Sequence, residues 1–391
     1  MSDIVIVGAK RTAIGSFLGQ FTGTPTPALG TAAIRGALAH AGLSADAVDE
    51  VIMGCVLPAG LGQAPARQAS RASGIPDAAG CTTINKVCGS GMKAVMLAHD
   101  IIKAGSARAV IAGGMESMTN APHLLNGSRT GIRYGSAEFL DHMAWDGLTD
   151  PYEGKAMGVF GDMACAKYGY DRASIDAFAT ESAQRAQAAQ AAGAFAAEIV
   201  PVTVKTRKGE SVIDQDEEPG KIDVSRIPGL RAAFGKDGVL TAASSSKISD
   251  GAAALAVMSA DAAAAAGVKP LARIVAHATH AQAPEWFTTA PVAAVHNVLE
   301  KAGWAVADVG LFEINEAFAC VAMIPMRELG IPHAKLNVNG GALALGHPIG
   351  CSGARLLVTL LHAMQARGER RGVASLCIGG GEATAMAIEL V

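Results

Sequence analysis

Two spacings of apolar residues alternate along the chain. "DIVIVGA" at 3–9, "VDEVIMGCVL" at 48–57 and "ARAVIAGGMES" at 107–117 are compact apolar runs that read as strands. Between them, "PALGTAAIRGALAHAG" at 27–42 and "MKAVMLAHDIIKAG" at 92–105 have the helical spacing, and Gly42 stands where a C-terminal cap belongs. Near the end, "GCSGARLLVTLLHAMQARG" reads as a helix. "GVASLCIGGGEATAMAIEL" reads as two strands around a glycine turn. Strands alternating with helices predict a layered α/β architecture.

Two of these regions are alike. Cys-Gly-Ser-Gly at 88–91 leads through a helix to "VIAGGMES", and Cys-Ser-Gly-Ala at 351–354 leads through a helix to "LCIGGGEAT". A duplicated unit is the reading, with glycine-rich turns at one end of each copy's sheet. The stretch from about 119 to 246 breaks the pattern and reads as an insertion lying over the core. Its clearest element is "DRASIDAFATESAQRAQAAQAAG", with Asp171 as N-cap, Ile175, Phe178, Ala179 and Ser182 on one face, and Gly193 as the stop. Its acidic run "DQDEEPG" at 214–220 reads as a solvated loop.

Length and composition narrow the class. A chain of 391 residues exceeds what one core usually organises, so at least two core units are expected. No apolar run reaches the roughly 18 residues of a bilayer span, and the opening segment reads as a first strand, not a signal peptide. A net charge of −3 without a basic cluster argues against nucleic acid. The seven cysteines are odd in number and scattered, with no CxxC pair, which disfavours a disulfide framework or zinc ribbon and suits a reducing cytoplasm.

Four places carry candidate chemistry. In "INKVCGSGMKAV", the pattern predicts a strand that runs to Cys88 and a helix that begins just after it. A thiol ahead of a helix N-terminus is expected to have a lowered pKa, and small neighbours let a carbonyl approach backbone N–H groups. A buried cysteine in a tight turn is the plain alternative. In "GGALALGHPIGCSGAR", Pro348 keeps His347 on a rigid, non-helical segment, where it is either a base for Cys88 or a hydrogen-bonded loop histidine. In "SLCIGGGEAT", Cys377 ends a strand ahead of three glycines whose N–H groups suit an oxyanion hole. In "FEINEAFAC", Asn315 is placed to orient a water or a ring, though a capped helix start explains the same residues.

Taken together, "VCGSG", "GGMESM", "NEAFA", "NGGALALGHPIGCSGAR" and "CIGGG" resemble the signature blocks of the thiolases, in order and over nearly the whole chain. The resemblance implies the thiolase fold: two similar α/β domains, each a five-stranded mixed sheet layered between helices, plus an inserted loop domain. The expected boundaries are 1–118 with 247–270 for the first domain, 119–246 for the loop domain and 271–391 for the second.

The resemblance also implies roles. Cys88 would take the acyl group and His347 would activate it. Cys377 would move the α-proton of the second substrate. Asn315 would hold a water that, with His347, stabilises the enolate. The N–H groups of Cys88 and Gly379 would form a further oxyanion hole. Ser246, Met157, Ala242, Phe318, Phe287 and Arg226 would line the path of pantetheine, acyl group and nucleotide.

The chain departs from the usual family pattern at four points. Lys247 follows Ser246 where glycine is frequent. Ala156 precedes Met157 where histidine is frequent. Phe287 replaces a methionine, and Arg226 a serine. The implied activity is the reversible condensation of two acetyl-CoA to acetoacetyl-CoA and CoA. The alternatives are a 3-ketoacyl-CoA thiolase for longer chains and a non-catalytic CoA- or lipid-binding relative. A β-ketoacyl synthase, which lacks the second catalytic cysteine, and a papain-like hydrolase, with a different residue order, fit less well. Coenzyme A thioesters would be substrates, with no cofactor and no metal required. A cytoplasmic homotetramer, built as a dimer of dimers, is expected.

Overall fold

The structure is a computed structural model and describes residues 2–206 and 209–391. Its first half runs β1 (Ile4–Thr12), β2 (Gly15–Ser16), α1 (Thr26–Ala41), β3 (Glu50–Gly54), α2 (Pro65–Ser73), β4 (Gly80–Ile84), α3 (Ser90–Lys103) and β5 (Ala109–Ser117). An excursion follows, with short strands β6 (His123–Leu124), β7 (Leu140–Asp141), β8 (Ile199–Val200), β9 (Val202–Thr206) and β10 (Gly209–Ile213) around helices α4 (Met157–Tyr168) and α5 (Arg172–Ala191). The chain then returns to the first sheet as β11 (Ser249–Ser259), followed by α6 (Ala260–Ala265). The second half runs β12 (Ala272–Ala281), α7 (Ala290–Ala302), β13 (Leu311–Ile314), α8 (Ala319–Glu328), α9 (Ala342–Leu345), α10 (Ile349–Arg367), β14 (Arg371–Ile378) and β15 (Glu382–Leu390).

Local chemistry sets the helix ends as the sequence suggests. Pro27 stands in the first turn of α1, where its missing N–H is harmless, and Gly42 ends the helix with φ 63°. Asp171 caps α5 by accepting the Ser174 N–H at 2.8 Å. The α5 face formed by Ile175, Phe178, Ala179 and Ser182 is buried.

The duplication is visible in the strand order. The first half is ordered β4-β3-β5-β11-β1 and the second β13-β14-β15-β12, so each copy's first strand lies at the shared centre. The expected fifth strand of the second half is reduced to a single bridge, Phe312 to Leu336. The halves are not separate sheets either. Val5 pairs with Arg273 and Ile6 with Ala272, joining them into one sheet. The two-layer halves still share a middle layer made by α3 and α10, which pack on each other and on strands of both halves.

That middle layer explains the glycines. A Cβ on Gly353 of α10 would lie 2.4 Å from the Met92 backbone N of α3, and one on Gly114 of β5 would lie 1.9 Å from the Gly350 carbonyl O. Both helices therefore touch through bare backbone, and α10 rests directly on β5. Side chains from Ile349 to Met364 are buried along α10, a burial pattern on all faces that fits a helix between two layers.

The acidic run differs from its expected solvated form. Asp216 is buried and grips Arg11 of β1 through Oδ1 at 2.7 Å and Oδ2 at 2.8 Å. Arg11 also donates to Glu198 at 2.7 Å. Glu217 accepts the Ser16 and Gln20 N–H groups, each at 2.9 Å. The run clamps the excursion to the first sheet, because a buried guanidinium needs paired carboxylates. Asp214, Gln215 and Gly220 remain exposed, and Glu217 and Glu218 are partly so.

Candidate active site

The turn before α3 is built from unusual backbone. β4 ends at Ile84, four residues before Cys88, so the strand does not reach the cysteine. Val87 holds φ 45°, a strained conformation for a β-branched residue. Asn85 Oδ1 accepts the Val87 N–H at 2.8 Å, and Ser90 Oγ accepts the Lys86 N–H at 2.8 Å while donating to the Val87 carbonyl at 2.7 Å. These bonds hold the turn and leave the Cys88 side chain partly accessible ahead of α3.

The hairpin of the second half meets this turn. Lys86 pairs with Glu382, the residue that opens β15, and so ties the Cys88 turn to the Cys377 hairpin. One cavity of about 50 Å³ is lined by Val87, Cys88, Gly147, Leu148, Met157, Ser246, Phe287, Ala317, Phe318, His347, Ile349, Cys377 and Gly379. Cys88, His347, Cys377 and Gly379 thus converge, as do Ser246, Met157, Phe287 and Phe318.

Asn315 stands behind His347, its Nδ2 at 3.5 Å from both ring nitrogens, while its Oδ1 accepts from Arg355 at 3.2 Å. Arg226 and Ala242 lie elsewhere. They line an adjoining cavity of about 300 Å³ with Lys221, Ile227, Leu230 and Lys247. Ser246 and Lys247, consecutive in sequence, face the two spaces.

Electrostatics in the small cavity are governed by burial. The Cys88 thiol is pushed up to about 11 by desolvation, against the pull of the Gly379 and Cys88 backbone N–H groups. The expected lowering by the helix N-terminus is therefore overruled. A helix end contributes about 1 kcal/mol in favourable cases, less than the desolvation of a thiolate. The same two N–H groups nonetheless converge on the sulfur, where an oxyanion hole would need them.

Burial, reinforced by the Arg355 charge, lowers His347 to about 3. Cys377 is raised well above its ordinary value by burial and then by the nearness of Cys88. At neutral pH all three groups are uncharged. A proton can then leave sulfur only as negative charge develops against waiting N–H donors.

The histidine tautomer follows from proton accounting. Ser352 Oγ lies 2.6 Å from His347 Nδ1 and 2.9 Å from the Pro348 carbonyl O. Only the hydroxyl can donate to that carbonyl, so Nδ1 carries the ring proton and Nε2 keeps the lone pair. Sequence reading gave Ser352 no role. It also missed Lys86, Val87 and Arg355, whose importance lies in partners remote in sequence.

Glu116 of "GGMESM" likewise carries no local signal of its role. Its carboxylate accepts the N–H groups of Val56, Leu57 and Gly350 at 2.9, 3.1 and 2.9 Å, joining the loop after β3 to the start of α10. Glu316 of "NEAFA" does similar work. It accepts from Ser182 at 2.6 Å and Asn337 at 2.8 Å, which locks α5 to the loop before α9.

The arrangement is that of a thioester-exchanging enzyme with two thiols, an imidazole and paired backbone donors in one dry space. Sequence comparison agrees. The family model described as "Thiolase, N-terminal domain" matches residues 4–261, and "Thiolase, C-terminal domain" matches 268–390. The chain belongs to the thiolase family.

Its relatives include proteins named acetyl-CoA acetyltransferase. One from Chromobacterium violaceum is 51% identical, with 99% of both chains covered. One from Escherichia coli is 49% identical over 100% of this chain and 99% of its own. One from Schizosaccharomyces pombe is 44% identical over 100% and 99%.

Proposed function

We infer that this thiolase is an acetyl-CoA C-acetyltransferase, joining two acetyl-CoA into acetoacetyl-CoA and CoA and running the reverse cleavage. The observation that carries this reading is the shared cavity of Cys88, His347, Cys377 and Gly379. Cys88 sulfur attacks the thioester carbonyl, His347 Nε2 takes the thiol proton, and CoA leaves with that proton. Cys377 then passes its thiol proton to His347 Nε2 and, as thiolate, removes an α-proton from a second acetyl group. The resulting enolate, its oxygen faced by His347 and a water held by Asn315, attacks the acyl carbon on Cys88. The N–H groups of Cys88 and Gly379 stabilise that tetrahedral oxyanion, and Cys88 leaves as thiolate, which takes the proton back from His347. One such donor typically contributes about 3–4 kcal/mol to the transition state.

Cavity size favours a short acyl group over the longer-chain alternative. About 50 Å³ holds a few water molecules, and Phe287 and Phe318 close its wall with rings 6.4 Å apart. The neighbouring cavity suits the rest of CoA. Lys221, Arg226 and Lys247 bring positive charge for phosphates, and Ser246 stands between nucleotide and sulfur. Loss of a catalytic side chain would have favoured a non-catalytic carrier, and each is in place. No cofactor enters these steps.

The division at 1–118 with 247–270, 119–246 and 271–391 fits the return of β11 to the first sheet. A cytoplasmic homotetramer completes the reading. Free cysteines suit a reducing compartment, and the outer edge of β4 offers a strand for pairing with a second copy.

Mass spectrometry tests the scheme. Acetyl-CoA should leave one acetyl group on Cys88, and free CoA should remove it. Cys377→Ala should still acquire that group yet make no acetoacetyl-CoA. Condensation by Cys377→Ala at the wild-type rate would refute the assignment, as would an acetyl group on another residue.

A further inference from the structure

Outside the active site, the halves also meet at the far end of α3. His99 and Asp100 lie there, nine residues or about 14 Å along the helix from Ser90. His277, from β12 of the second half, faces them. His99 Nδ1 and His277 Nε2 each lie 2.9 Å from Asp100 Oδ1, and the two nitrogens are 3.2 Å apart. All three donor atoms therefore form one small triangle.

Without a cation, both rings can donate to the single Asp100 oxygen, which spends two N–H groups on one acceptor. With a cation, each of the three atoms turns a lone pair to the centre instead. Metal–donor bonds of about 2.0–2.1 Å place tetrahedral donors about 3.3–3.4 Å apart; the nitrogen pair at 3.2 Å is near that spacing, and the two 2.9 Å edges to Asp100 would open by about 0.4 Å on binding. Asp100 is half-exposed, so a fourth position opens to solvent.

We propose that His99, Asp100 and His277 form a site for a divalent first-row transition cation such as Zn²⁺, clamping α3 of the first half to β12 of the second. Two imidazoles and one carboxylate suit such ions better than Mg²⁺ or Ca²⁺, which prefer all-oxygen sets. The clamp is structural and lies apart from the thioester chemistry. Its success or failure leaves the proposed reaction untouched.

Tag-free, chelator-stripped protein is titrated with Co²⁺ while visible absorption is followed, and Zn²⁺ is then added to displace it. The expected result is one Co²⁺ per chain and a raised unfolding temperature. His277→Gln and His99→Gln should each weaken binding by more than the about 10–100-fold that loss of an outer partner costs. Cys88→Ser should bind as the wild type does, which separates this site from the reactive thiol. Asp100→Asn serves as a third ligand variant if one histidine change fails to fold. The proposal is overturned if the wild type binds no Co²⁺ in large molar excess, if the folded ligand variants bind as tightly as the wild type, or if Cys88→Ser abolishes binding.

Discussion

The two handovers into the central helices look alike in sequence and end differently. Aligning cysteine with cysteine matches Cys88 to Cys351. The packing matches them one residue apart. Gly91 approaches Ala354 where Gly353 approaches Met92, so Gly91 corresponds to Gly353 and Cys88 to Gly350. Cys351 falls inside the first turn of α10, 1% exposed, with burial lifting its thiol to about 12. Cys88 sits ahead of its helix, partly accessible, against two N–H donors. A one-residue shift separates a reactive position from a sealed one, and the second half supplies His347 and Cys377 instead.

The largest break in this comparison is chemical. Cys88→Ala should remove turnover and the acetyl adduct altogether. Cys351→Ala should retain both, with a stability loss of about 1 kcal/mol in urea unfolding. Equal loss in the two variants would show that the shift carries no functional meaning.

Next comes the contact that defines the register. Gly353→Ala puts a methyl against the Met92 backbone, so overpacking of about 1–3 kcal/mol should appear in the urea midpoint, with activity falling alongside. An unchanged midpoint would mean that the helices can separate freely.

A pH series sharpens the contrast further. Burial raises Cys88 above the free-thiol range, so the reactive thiolate is scarce below that pKa and grows as pH rises. Alkylation of Cys88 by iodoacetamide should keep climbing up to about pH 11. A plateau near pH 7 would instead show the lowered pKa that its place before a helix suggests. The smallest effect belongs to Lys86→Gln. It removes a partly exposed pair with Glu382, so stability should fall by no more than about 1 kcal/mol. Any loss of turnover should be a few-fold, measured as kcat.

Much of the site was legible because its residues sit in compact blocks. Cys88, His347 and Cys377 each stand beside glycines or proline, whose backbone needs are local and visible. The glycine turn between β14 and β15 and the Asp171 cap read correctly for the same reason. The acidic run misled because Arg11, its partner, lies 205 residues away. The thiol pKa misled because a helix end is local, whereas desolvation depends on everything packed around the sulfur. Ser352 and Arg355 stayed silent because their roles are bonds to His347 and Asn315, and no spacing announces such bonds.

By itself, the chain determined its alternation of strands and helices, its duplication, its family and the residue types that do the chemistry. These rest on period, turn residues and order, all short-range properties of a polymer. Only the tertiary structure decided which copy's cysteine is open, how both halves join into one sheet, and how three neutral groups come to share a space of about 50 Å³. Those outcomes depend on close approach of distant backbones and on the loss of water around buried groups, which no local pattern encodes.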